Sequence, residues 1–172
     1  NEQGRPSVVA GVPPDYFSAT GQRWGNPVYN WDELKNSSYA WWLNRIKMNL
    51  KYFDLVRIDH FRGFVQYWEI PAKEKTAIHG QWANLPTYDF FNVLKQNSFI
   101  ASIIAEDLGI ITDDVRQAMR DFGFPGMKVL LFAFNGDPNN PYLPHHYNAN
   151  CVVYTGTHDN NTIQGWFSSD AT

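Results

Sequence analysis

Cysteine is almost missing from this 172-residue chain: it occurs once, at Cys151. A single cysteine excludes an internal disulfide framework and a CxxC metal site. Its place ahead of Val152-Val153-Tyr154 marks it as a small buried hydrophobe in a strand. Also lacking are a run of about 18 apolar residues that could span a bilayer and a basic-then-apolar leader. A soluble chain in a reducing compartment is therefore expected. Neither sign of charge dominates, with 14 Lys and Arg against 17 Asp and Glu and a net charge of -3. This balance argues against a polyanion-binding surface, so no nucleic acid and no membrane partner is expected. The chain starts at Asn1 rather than Met, a hint that it belongs to something longer. At 44% hydrophobic it has material for one sizeable core.

Aromatic residues are abundant instead, at 16% with 7 Trp and 9 Tyr. Tyr16, Phe17, Trp24 and Tyr29 stand among Gly, Pro and Asn, where no core helix can form. Such rings either face a ligand with flat apolar faces and polar edges, as sugars have, or anchor a loop to the core. Composition leaves both open. Residues 1–30 carry Gly4, Pro6, Gly11, Pro13, Pro14, Gly21, Gly25 and Pro27, a density that forbids a continuous helix. Residues 11–29 are expected to form an ordered active-site loop, because rings in a disordered tail would have nothing to pack on.

After this the periodicity changes. Asn30 can cap a helix from residue 31 to about 50, with Leu43, Ile46, Leu50 and Phe53 recurring at helical spacing and Trp41 and Trp42 read as core packing. Strands are expected at residues 55–59, 99–105, 127–134 and 151–155. Between the first two lie a loop with Gly63, Pro71 and Gly80 and a helix over about 87–95. A further helix starts at Thr112-Asp113-Asp114 and stops at Gly123. Apolar strands alternating with helices predict an α/β fold with a parallel sheet.

Three of the four strands run into a carboxylate: Asp59, Glu106 and Asp159. In a parallel sheet these C-terminal ends share one edge, so distant residues converge. Two carboxyl groups about 5–5.5 Å apart suit a retaining glycosidase, in which one attacks the anomeric carbon and the other protonates the leaving oxygen. Asp59 is the candidate nucleophile, with Arg57 on the same strand face to support its charge. Glu106 is the candidate acid, its pKa raised by burial and by the like charge of Asp59. Asp159 then stabilises positive charge in the transition state, and His158 donates to a sugar hydroxyl. A divalent metal on His60 and His158 is the rival, but neither stands in HxxEH or HExxH spacing. The loop pair His145-His146 shapes its loop rather than binding metal. Asp121-Phe122-Gly123 imitates a kinase magnesium motif without the loop that should precede it. The sequons at Asn36 and Asn160 carry no weight without a secretory signal.

Five separated motifs carry a resemblance. They are Val9-Ala-Gly-Val-Pro-Pro-Asp-Tyr-Phe-Ser-Ala-Thr-Gly-Gln-Arg-Trp-Gly-Asn-Pro27, Arg57-Ile-Asp-His-Phe-Arg-Gly63, Ala105-Glu-Asp-Leu-Gly109, Pro125-Gly-Met-Lys128 and Tyr154-Thr-Gly-Thr-His-Asp-Asn160. Taken in order, they resemble the 4-α-glucanotransferase family, the amylomaltases or disproportionating enzymes of the α-amylase superfamily.

The resemblance implies a (β/α)8 TIM barrel, with residues 1–172 lying in its single catalytic domain and covering about strands 4 to 7 and the preceding loop. The barrel commonly needs about 250 residues. Also implied are retaining transfer of an α-1,4-glucan segment to another glucan, no cofactor and no metal. Maltooligosaccharides and starch-type glucans would be the partners, and the location cytoplasmic, or plastid in a plant. Position by position, Asp59 matches the nucleophile, Glu106 the acid/base and Asp159 the transition-state stabiliser. Arg57 matches the arginine supporting the nucleophile, and His158 the sugar-binding histidine. Residues 11–29 match the loop over the acceptor subsites, with Phe17, Gln22 and Trp24 as its sugar contacts. Asn161-Thr162 departs from the acidic residue and Thr expected in many relatives. The alternatives are a hydrolase on the same barrel and a catalytically silent glucan-binding module.

Overall fold

The computed structural model describes residues 4–15 and 18–171. In chain order these form β1 (Val8–Val12), β2 (Gln22–Pro27), α1 (Trp31–Asn36), α2 (Ala40–Leu50), β3 (Val56–Ile58), β4 (Gln66–Pro71), β5 (Gln81–Asn84), α3 (Thr87–Gln96), β6 (Ile103–Ala105), α4 (Asp113–Phe122), β7 (Gly126–Val129) and β8 (Cys151–Tyr154). No helix among them is long and apolar enough to cross a membrane.

The expected parallel strands are present. β3 pairs with β6, Arg57 opposite Ile104, and β7 pairs with β8, Met127 opposite Val152. The amide of Ala105 donates to Pro125 O at 2.8 Å, linking β6 to the start of β7. The strands thus lie side by side in sequence order, with α3 and α4 in the crossovers. β6 and β7 are shorter than the apolar runs suggested. Residues 100–102 form a 3₁₀ turn before β6, and 130–133 form another after β7. An apolar run reports packing rather than extended backbone: Phe99 and Ile100, at the start of the first turn, are partly buried against the main core without being strand. Cys151 at the start of β8 is half-buried rather than buried, with its Sγ 3.1 Å from Asn148 O.

The expected helix over residues 31–50 is broken in two. Asn30 caps α1 as anticipated, its Oδ1 accepting from Glu33 N at 3.3 Å. Ser38 and Tyr39 then take left-handed conformations, with φ of 51° and 55°. The break turns the Tyr39 ring into the core, where its hydroxyl donates to Asp89 Oδ2 at 2.7 Å. The two tryptophans of α2 part company: Trp42 is buried and Trp41 is 47% exposed. Ile46 is buried, Leu43 and Leu50 are partly so, and Phe53 is exposed. The main core lies where α2, α3 and α4 pack on β3 and β6, and phenylalanine is its commonest residue. Phe61 stacks on Phe91 with centroids 5.5 Å apart, and Phe64 on Phe90 at 5.6 Å.

A second sheet corrects the sequence reading. Residues 11–29, expected as one loop, contain the end of β1 and all of β2. The Gly63–Gly80 loop contains β4 and leads into β5. Together they make an antiparallel sheet in the order β2-β1-β4-β5, with Val9 opposite Ile70 and Tyr67 opposite Ala83. Its small core is Val9, Ile70 and Ala77, with Trp68 packed against it and donating from Nε1 to Ala77 O at 2.9 Å. The strands escaped notice because Gln66–Pro71 and Gln81–Asn84 are polar and aromatic rather than apolar. Gly11 is required by close approach: a Cβ there would stand 2.2 Å from Gln22 O. Residues 13–15 and 18–21 lie outside the strands, between β1 and β2.

Candidate active site

The parallel strands end on the carboxylates. Asp59 follows β3 directly and Glu106 follows β6. Main-chain bonds from Glu106 N to Ile58 O at 2.9 Å and from Phe61 N to Glu106 O at 3.0 Å hold the two segments in step beyond the strands. The Glu106 carboxyl accepts from His60 N at 2.7 Å on Oε2 and from Leu108 N at 2.6 Å on Oε1. Burial pushes the pKa of Glu106 up, and the negative charges of Asp59 and Asp107 add to this, against the pull of the two amides. Asp59 itself is exposed while Glu106 is half-buried. Different environments for two neighbouring carboxyls are what an acid and a nucleophile require.

A cavity of about 430 Å³ lies over this edge, lined by Arg57, Asp59, Glu106 and Asp159 together with Gln22 and Trp24 of β2. Gln22 and Trp24 are two apart on the strand and so share a face. The indole Nε1 donates to Gln22 Oε1 at 3.2 Å. Arg57 reaches across the sheet, with its Nη1 3.8 Å from Met127 Sδ and its guanidinium 6.0 Å from the Tyr154 ring centroid. It forms no ion pair with Asp59 among the described residues.

Asp159 sits in a turn after β8. Asn160 Oδ1 accepts from Thr157 N at 2.9 Å and from Thr157 Oγ1 at 3.0 Å, and Asp159 N donates to that Oγ1 at 3.3 Å. Asn160 therefore shapes this turn. His158 is exposed, its Nε2 3.3 Å from Asp159 Oδ1, and it does not line the cavity. Phe17 lies outside the described residues.

Sequence reasoning missed three wall residues: His60, Arg62 and Trp82. Arg62 donates from Nη1 to Ile110 O at 2.7 Å and lies over the Trp82 ring at 4.3 Å. Trp82 was hidden in β5, a strand read as loop. His60 stands out in the sequence only as a metal-ligand candidate. Among the described residues no group of three or more His, Cys, Asp or Glu is arranged to hold a metal ion.

The parallel strands thus bring an exposed and a half-buried carboxyl to a cavity walled by Trp24 and Trp82. Comparison with known proteins gives the family. Residues 2–172 match the family described as 4-alpha-glucanotransferase, and the chain belongs to that family. It is 58% identical over 168 residues to the 4-alpha-glucanotransferase of Synechocystis, covering 96% of this chain and 33% of that one. The 4-alpha-glucanotransferase of Thermus thermophilus is 55% identical over 170 residues, with 97% and 34% covered. Among solved structures, an amylomaltase from Streptococcus agalactiae in complex with acarbose superposes with a TM-score of 0.92 at 43% identity, covering 100% of this chain and 35% of that one. The chain spans about a third of the length of the curated relatives it matches.

Proposed function

We propose that the protein carrying this chain is a 4-α-glucanotransferase, acting on maltooligosaccharides and starch-type glucans by a retaining mechanism. Asp59 attacks the anomeric carbon of a bound α-1,4-glucan while Glu106 gives its proton to the departing glycosidic oxygen. The non-reducing segment stays on Asp59 as a covalent ester. An acceptor sugar hydroxyl then gives its proton to Glu106 and attacks the anomeric carbon of the ester, releasing the Asp59 carboxylate and restoring the α-1,4 bond. Arg57 and Asp159 flank the charge that develops. One observation carries this reading: a desolvated Glu106, held by two backbone amides, shares a cavity with an exposed Asp59. The acarbose bound to the Streptococcus agalactiae amylomaltase supports a glucan ligand.

In this reading β3, β6, β7 and β8 are strands 4 to 7 of a (β/α)8 barrel, and the β1–β2 hairpin covers the acceptor side. The location follows the family, the cytosol or, in a plant, the plastid. Transfer wins over hydrolysis only if the ester outlasts its exposure to water, which a hairpin bearing Gln22 and Trp24 favours by excluding solvent.

The test is incubation of the protein at its natural length with maltotriose. A ladder of longer maltooligosaccharides plus glucose is expected, abolished by Asp59→Asn. Maltose and glucose without a ladder would mean a hydrolase, and no products a binding module. Trp24→Ala is expected to raise the ratio of hydrolysis to transfer, and an unchanged product distribution would count against the hairpin's role.

A further inference from the structure

We infer that Asp107 and Met127 are positioning residues that hold the Arg57 guanidinium at the carboxylate edge; this rests on the glucanotransferase reading, in which Arg57 supports the nucleophile. The starting point is an interrupted ladder. β6 and β7 lie side by side yet belong to separate two-stranded sheets, joined by the bond from Ala105 N to Pro125 O at 2.8 Å. The next rung of a regular parallel ladder would send the Met127 N–H to Ala105 O. That N–H instead donates to Asp107 Oδ1 at 2.7 Å. A side-chain carboxylate thus takes the place of a main-chain carbonyl. Gly126 leaves the room for it, since a Cβ there would stand 2.6 Å from Asp107 Oδ2.

The rung matters for the side chain it carries. Met127 is buried, and its Sδ lies 3.8 Å from Arg57 Nη1. Arg57 lines the carboxylate cavity with Asp59 and Glu106, whereas Asp107 and Met127 line a separate cavity of about 420 Å³ with Arg116 and Lys128. Their effect on a glucan bound over the carboxylates therefore passes through Arg57. Among the described residues the guanidinium has a thioether and the Tyr154 ring beside it and no ion pair. A thioether accepts a hydrogen bond without neutralising its donor, so the charge stays available to the nucleophile. A long side chain held in this way needs its sulfur fixed, and the bond from Met127 N to Asp107 fixes the main chain from which that sulfur projects. Asp107 of Ala105-Glu-Asp-Leu-Gly109 and Met127 of Pro125-Gly-Met-Lys128 thereby share one purpose.

Three variants of the protein at its natural length test this. kcat and KM are measured per mole of folded protein on maltotriose and on α-maltosyl fluoride, whose fluoride leaves without a proton from an acid. Asp107→Ala removes the acceptor and should lower kcat roughly tenfold or more, the worth of a hydrogen bond to a charged group, with KM little changed. Asp107→Asn keeps an oxygen for the Met127 N–H and should recover most of that loss. Met127→Leu conserves volume without the sulfur and should lower kcat about two- to tenfold, what an ordinary hydrogen bond is worth. Combined with Asp107→Ala it should cost less than the product of the two, because both act through one contact. Each loss should persist on the fluoride, since Arg57 serves the nucleophile. A loss confined to maltotriose would place the effect on Glu106 and overturn the inference. So would independent effects of the two substitutions, or an Asp107→Asn variant as slow as Asp107→Ala. Should Asp107→Ala fail to fold, Met127→Leu decides alone, and an unchanged kcat rejects the route through Arg57. A native protein that makes no ladder would sink the transferase reading instead, a separate and visible failure.

Discussion

A carboxylate that accepts two backbone N–H groups is ordinarily a stronger acid than usual. Glu106 accepts two and still has a raised pKa, because burial and the charges of Asp59 and Asp107 outweigh them. The amides therefore act mainly as a mount, one on each oxygen, leaving the remaining lone pairs to exchange a proton with the substrate. A raised carboxyl is protonated below its shifted pKa and loses its proton as pH climbs through it. Transfer should thus fail on an alkaline limb displaced above the ordinary carboxylate range. Glu106→Gln should lower kcat about 10²- to 10⁴-fold, the usual worth of a general acid and base, and flatten that limb in a pH–rate profile. A limb that survives in the variant would assign it to another group. By linkage, the stability Glu106 contributes is full below its unfolded pKa and is lost as pH rises through its folded one. The direction was legible in sequence, since Asp59 and Glu106 each end a buried strand. The mount was not, because the amides of His60 and Leu108 are aimed by backbone angles no residue type announces.

At the scale of elements, the site is a seam between two sheets read with unequal success. The parallel strands and their crossovers were legible because burial on both faces demands apolar runs such as Ile103-Ile104-Ala105. The antiparallel sheet has one small buried cluster and otherwise presents polar and aromatic side chains, so it read as loop, and Trp82 went with it. Tyr39 defeated the helix reading for a related reason: burying its ring while its hydroxyl reaches Asp89 overrode local periodicity. Within the hairpin, Gly11 is the point of closest approach. Gly11→Ala would drive a Cβ to within 2.2 Å of Gln22 O and must shift β2, with Gln22 and Trp24 on it. Overpacking of this kind costs about 1–3 kcal/mol. A lowered melting temperature should accompany a loss of transfer greater than the loss of hydrolysis. Equal losses would show that the hairpin carries no acceptor-side role.

For the whole molecule, the margins of the parallel strands decide what the chain can do alone. Among the described residues β3 pairs only with β6, and β8 only with β7, so each presents an open edge. Some of the large apolar residues left exposed lie at the same two margins. Tyr52, Phe53 and Leu55 lead into β3, with Tyr52 69% and Phe53 62% exposed, while Phe132, Phe134 and Val153 lie on and beyond β7 and β8. Open edges flanked by apolar side chains are templates for association, and closing the sheet into a barrel removes both. Further strands would supply that closure in proteins as long as the relatives this chain matches, of which it spans about a third. The sequence predicted the strand order but could not display the margins, because apolar residues facing a missing neighbour look the same in sequence as those facing a present one. Expressed as residues 1–172 alone, the chain should therefore aggregate, or melt without a cooperative transition, and make no ladder from maltotriose. Sedimentation and thermal unfolding check this. A soluble monomer with one sharp transition would mean that the Phe-rich core between α2, α3 and α4 suffices to hold both margins in water.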